Sequence, residues 1–220
     1  MTRFSHKVLL TAAPAFLVAG LLSAQNGEKL AAVMAENAKR LHQYTYKQRT
    51  EVLYKGEDKI VRLNDMRFGP DGKRQATLIS QTGGEEPATG LGHRIINKKR
   101  EEVKEYVERL SALVENYLPP DPEKLRKALT TAEIVPAGNT LALTMKGYLK
   151  SGDSLALVVD TATRKVKRVD LKTALDKDSI SVTAEMASVP GGPDYPSLVK
   201  IQAPSKKLEI DISAYDFVKH

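Results

Sequence analysis

The chain contains no cysteine and no tryptophan, and aromatic residues make up only 5% of its 220 positions. Without cysteine there are no disulfides, thiolate metal sites, iron–sulfur clusters or cysteine nucleophiles, and no lipid-modified N-terminal cysteine. Histidine is scarce too. Beyond His6 there are His42, His93 and His220, far apart and without a His-Glu-x-x-His pair or another short metal box. No Gly-x-Ser-x-Gly elbow occurs. Gly90-Leu91-Gly92 is half of a phosphate loop, but Ile95 fills the next glycine slot and no Gly-Lys-Ser/Thr follows. These gaps point away from catalysis, cofactors and metals.

The formal net charge is +7. No basic block stands alone: Lys98-Lys99-Arg100 is followed at once by Glu101-Glu102, which i,i+4 helix pairing explains. The charge pattern is that of a solvated surface, and nucleic acid is not an expected partner. Glu85 and Glu86 are adjacent carboxylates, read as solvated loop charges rather than an acid–base pair.

What is present begins with a leader. Arg3, His6 and Lys7 form a basic start, and Val8 to Leu22 is an apolar run. That run is short for a membrane span, which needs ~20 residues, but suits a signal segment. Small residues Ser23 and Ala24 precede the polar Gln25-Asn26-Gly27, so cleavage is expected after Ala24. Residues 1–24 are then a signal peptide and 25–220 one α+β domain, periplasmic or secreted. That length buries a core without covalent staples.

In the body, Leu30, Val33, Met34, Ala38 and Leu41 recur at helical spacing and predict a helix over Gly27–Gln43. The period then changes to two. Tyr44, Tyr46, Gln48, Thr50, Val52 and Tyr54 share one face of a strand. Ile60–Phe68 and Arg74–Ser80 follow across turns at Gly56-Glu57-Asp58 and Pro70-Asp71-Gly72, predicting a three-stranded meander. Gln81–Gly92 reads as a mobile surface loop.

Val103, Tyr106, Val107, Leu110, Leu113, Val114 and Tyr117 trace the apolar stripe of a second helix, stopped by Pro119-Pro120. Asp121 before Pro122 is a capping signal for a short third helix ending near Leu129. Seven strands are expected after it: Ala132–Pro136, Thr140–Tyr148, Ser154–Asp160, Lys165–Thr173, Ile180–Ser188, Ser197–Ala203 and Lys206–Phe217. Their short links imply antiparallel pairing.

Tyr44-Thr45-Tyr46, Arg49-Thr50-Glu51-Val52, Lys55-Gly56-Glu57, Arg67-Phe68, Pro70-Asp71-Gly72-Lys73, Pro119-Pro120-Asp121-Pro122 and Tyr215-Asp216-Phe217 together resemble a group of uncharacterised exported proteins of Gram-negative bacteria. More distantly, the order of elements is similar to the LolA-like periplasmic lipoprotein-carrier and outer-membrane lipoprotein-sorting fold. Ser154–Asp160, Thr161–Lys165 and Val166–Leu171 match its strand–turn–strand. The resemblance implies a curved antiparallel sheet, an unclosed half-barrel, with an N-terminal helix and an inserted helical segment over one face. It implies a lipid, lipoprotein or other apolar ligand held in the concave face. No carrier residue matches a position here, and the inward candidates to line such a site are Tyr44, Tyr46, Val52, Met66, Phe68, Leu143, Leu157, Val159 and Val169. Against it stands the shortage of large aromatics. The alternative is a structural or interaction module of the cell envelope, in which these residues are plain core.

Overall fold

The computed structural model describes residues 24–56, 58–83 and 93–220. The expected signal segment and most of the Gln81–Gly92 loop, including Glu85, Glu86 and Gly90-Leu91-Gly92, lie outside the described residues. Three α-helices and ten strands make up the described chain: α1 (Ala24–Leu41), β1 (Tyr44–Tyr54), β2 (Asp58–Phe68), β3 (Arg74–Thr82), α2 (His93–Glu115), α3 (Pro122–Leu129), β4 (Glu133–Ala137), β5 (Thr140–Lys146), β6 (Ser154–Asp160), β7 (Val166–Leu175), β8 (Asp178–Ser188), β9 (Asp194–Ala203) and β10 (Leu208–Lys219).

All ten strands form one antiparallel sheet in the order β3-β2-β1-β10-β9-β8-β7-β6-β5-β4. Two hairpin-linked runs, β1–β3 and β4–β10, are joined where β1 pairs with β10, Val52 opposite Ile210. The order puts β3 at one edge and β4 at the other. The intervening α2 and α3 must therefore cross the sheet, which is why they cover one face.

The sheet is a curved, unclosed half-barrel. Glu115 of α2 pairs with Arg74 of edge strand β3 at 3.0 Å. Tyr117, two residues on, bonds Asp153 beside β6. Flat, strands seven places apart would stand ~34 Å from each other. Curling brings both to the end of one helix.

Alternation sets the faces. Leu155, Leu157 and Val159 on β6 are buried, with half-buried residues between them. Cross-strand partners carry the same face along the sheet: Leu143–Leu157–Val169–Ala184–Val199–Ile212. Against this face pack Ala31 of α1, Leu110 and Val114 of α2, and Leu125 and Leu129 of α3, forming the core. The other face is wetter and carries paired charges such as Arg168–Asp170 and Lys200–Asp211.

Two details differ from expectation. In α1 the buried residue is Ala31, with Leu30 and Met34 beside it, while Val33 is 60% exposed. The helix is rotated because only one narrow stripe meets the sheet and α3. The fifth strand stops at Lys146, since Gly147 turns left-handed at φ +67 and leads Tyr148 back toward α3.

Candidate functional site

The inner face of the sheet is the candidate site. All nine residues expected to line it fall on that face, but in two groups. Leu143, Leu157, Val159 and Val169 are buried in the main core. Tyr46 and Met66, both buried, sit opposite each other on β1 and β2 at the far end of the sheet, with half-buried Tyr44 and Phe68. Val52 packs against the edge of the core between the groups.

The second group belongs to an aromatic corner. Phe217 stacks on Tyr46, with ring centroids 4.8 Å apart, and meets Tyr195 at 4.1 Å. His42, at the end of α1, stacks on Phe68 at 4.2 Å. Phe217 is there because of a bulge. The β1–β10 register slips between Thr45 and Lys47, and Asp216 takes a left-handed φ of 55. One extra residue reverses the alternation, placing Phe217 on the face of Tyr46. Gly192 of the β8–β9 turn closes the corner: a Cβ there would come within 2.9 Å of the Tyr44 hydroxyl. Burial raises the Tyr46 phenol's pKa, an effect opposed by the Arg74 guanidinium.

A buried polar hub was not foreseen. Asp153, 2% exposed, accepts hydrogen bonds from the Tyr117 hydroxyl, the Thr173 hydroxyl at 2.8 Å and the Lys150 backbone N–H at 3.0 Å. Three donors on one carboxylate satisfy most of its acceptor capacity in a dry place. The hub ties the end of α2 to the β5–β6 loop and to β7. Burial, then the Asp153 carboxylate, push the Tyr117 pKa up to about 12. A cleft of about 280 Å³ opens beside the hub, lined by Lys150, Ser151, Thr173, Lys177 and Ser179 among others. None of the nine lining candidates borders it. The sequence signal for the hub is slight: one Asp in Ser151-Gly152-Asp153-Ser154, indistinguishable from a turn aspartate without the long-range contacts.

Toward the C-terminal end of α2, Arg109 binds both carboxylate oxygens of Asp176, at 2.7 and 2.8 Å, in the β7–β8 turn. Tyr106 lies against Asp178, and the Lys206 ammonium sits over its ring at 5.4 Å. Burial, then that carboxylate, push the Tyr106 pKa to about 12. Among the described residues no three His, Asp or Glu side chains come together. Nor, among them, is any helix long and apolar enough to cross a membrane.

Three solved structures are similar over most of the chain. A DUF1329-family protein of Desulfovibrio piger is 12% identical, covering 89% of this chain and 92% of its own, with a TM-score of 0.42. A Vibrio parahaemolyticus domain described as an outer membrane lipoprotein-sorting protein is 7% identical, covering 90% and 94%, at 0.44. A LolA-superfamily protein of Nitrosomonas europaea is 9% identical, covering 86% and 93%, at 0.37. Two of the three carry the descriptions to which the sequence resemblance pointed. No family model matches the chain, and no curated protein matches it by sequence.

Proposed function

We propose that the chain is an exported, periplasmic binding or carrier protein. It holds a lipid, a lipoprotein acyl chain or another apolar ligand on the inner face of the sheet, without catalysis. The observation that supports this is the way α2 lies on that face. It contributes no strand ladder. Its Leu110 and Val114 supply the apolar atoms that cover the sheet. Its visible polar ties to the sheet include two exposed ion pairs, Arg74–Glu115 and Arg109–Asp176, of a kind worth little each. In this reading α2 stands where an acyl chain would lie, and lifting it would expose Leu157, Val169 and their neighbours to a ligand.

A second reading, a structural or interaction module of the envelope, is favoured by the completeness of that packing: Leu110 is wholly buried and Tyr117 is anchored in the hub. Native mass spectrometry of protein taken from the envelope separates the two. A retained lipid appears as added mass, and bare protein favours the module. N-terminal sequencing of the same sample should start at Gln25, leaving 25–220 as a single domain. An intact Met1 would defeat the export claim.

A further inference from the structure

Four turns at one end of the sheet form a continuous rim. The Lys55 N–H, in the β1–β2 turn, donates to the Lys207 carbonyl in the β9–β10 turn at 2.8 Å. In that second turn, Ser205 and Lys206 bond Asp178 of the β7–β8 turn, at 2.6 and 3.4 Å. The Lys150 ammonium, in the β5–β6 loop, donates to Ala174 O at 2.7 Å beside the same β7–β8 turn. Contact thus passes from β1–β2 through to β5–β6.

Among the described residues, the aspartates of these turns are matched and several of the lysines are not. Asp153 is consumed by the buried hub, Asp176 by Arg109, and Asp178 by Lys206 and Ser205. Lys55, Lys150, Lys177 and Lys207 are exposed, and among the described residues none of the four forms an ion pair. Lys55 and Lys207 are also left-handed, at φ 56 and 51. Glycine or asparagine adopts that conformation more readily. Two lysines therefore sit side by side, joined through their backbones, in places that local energetics assign to other residues.

We infer that this rim docks on an anionic lipid bilayer. The four cations come from three adjacent turns and the neighbouring loop instead of converging on a point, which suits a broad charged surface better than a small anion. All four are lysines, hydrated point charges that suit phosphate headgroups. The guanidinium nearby, Arg109, is already engaged, and carboxylates of a protein partner are better matched by arginine forks. Lysine is also depleted at protein–protein interfaces. The docking does not require the apolar-ligand reading to hold.

The test is vesicle sedimentation of the protein purified from the envelope fraction. Bilayers containing phosphatidylglycerol are compared with bilayers of phosphatidylcholine alone, at low and raised salt. The rim variant carries Lys55→Asn, Lys150→Gln, Lys177→Gln and Lys207→Asn, with asparagine at the left-handed positions. A control of equal charge carries Lys39→Gln, Lys73→Gln, Lys167→Gln and Lys219→Gln, all exposed and at the opposite end of the sheet. Each rim lysine should contribute roughly fivefold to partitioning. The rim variant then loses on the order of a hundredfold or more on anionic vesicles, and the control far less. Lys150→Gln and Lys177→Gln alone, which alter no left-handed position, should each show about a fivefold loss even if the quadruple variant folds poorly. Equal loss in rim and control variants, or binding indifferent to lipid charge and salt, overturns the proposal. So does a rim-dependent interaction with polyglutamate that vesicles do not reproduce.

Discussion

Asp153 shows how much one side chain organises. Its carboxylate holds Tyr117 and Thr173 in a place where any unpaired polar atom is costly. Replacing Tyr117 with Phe removes one donor and keeps the ring. The expected loss is about 1–3 kcal/mol in urea unfolding, the range for disrupting a buried hydrogen bond to a charged partner. The same residue predicts an alkaline transition. Tyr106, Tyr117 and Tyr148 each have a pKa of about 12, in every case chiefly through burial and then through a nearby aspartate. A phenol whose folded pKa lies above its unfolded value near 10 stabilises the fold fully below pH 10. That stabilisation is lost as pH rises from about 10 through about 12. Unfolding measured across that window should show a steep decline, shallower in Tyr117→Phe. Ultraviolet titration should find these phenols ionising late. A flat stability profile to pH 12 would contradict the hub as described.

The elements were the most legible part of the sequence, because each has a local cause. Period-two runs such as Leu155, Leu157 and Val159 need no knowledge of their neighbours to be read as strands, and their burial alternates as that period requires. The cap of α3 was equally local. Asp121 accepts from the Lys124 N–H at 2.8 Å with Pro122 at the first helical position. Asp121→Ala should cost about 1 kcal/mol, read as a lowered urea midpoint at unchanged slope. No loss would mean that Pro122 and the packing of Leu125 and Leu129 hold the helix unaided. What the local pattern missed depends on long-range partners. Strict alternation puts Phe217 on the wet face, and only the bulge at Asp216, seen against β1, reverses it. Likewise Val33 satisfies helical spacing as well as Ala31 does, and the choice between them is made by the sheet and α3.

At the scale of the molecule, one topological fact governs the candidate site. Because β3 and β4 are opposite edges, the chain between them must cross the sheet, and α2 with its apolar stripe makes that crossing on the inner face. The stripe itself was visible in sequence. Whether it is core or lid was not, since either role demands the same residues at the same spacing. The nine lining candidates share the inner face of the sheet, as period-two alternation requires of them. Their division into a filled core and an aromatic corner follows from where α1, α2 and α3 settle.

Leu110→Ala separates core from lid. Leu110 is wholly buried between α2 and the sheet, so truncation should cost ~2–5 kcal/mol in a packed core that cannot collapse around the gap. If α2 lifts for a ligand, delipidated protein should already be less stable than protein given back an acyl ligand, since a molecule that binds only the folded state raises the melting temperature by mass action. Truncation would then weaken ligand retention, and added ligand would recover part of the lost stability by filling the space that the side chain vacated. The measurement is a thermal melt of wild type and Leu110→Ala, each after delipidation and again with a fatty acid restored. The carrier reading predicts a ligand-dependent rise in both, with weaker retention in the variant. A large loss of stability, with melts of both proteins unmoved by the fatty acid, would sink that reading and leave the interaction module. In that case the inner face is occupied by the protein's own helices, and the surfaces left for partners include the lysine rim and the edge strands β3 and β4.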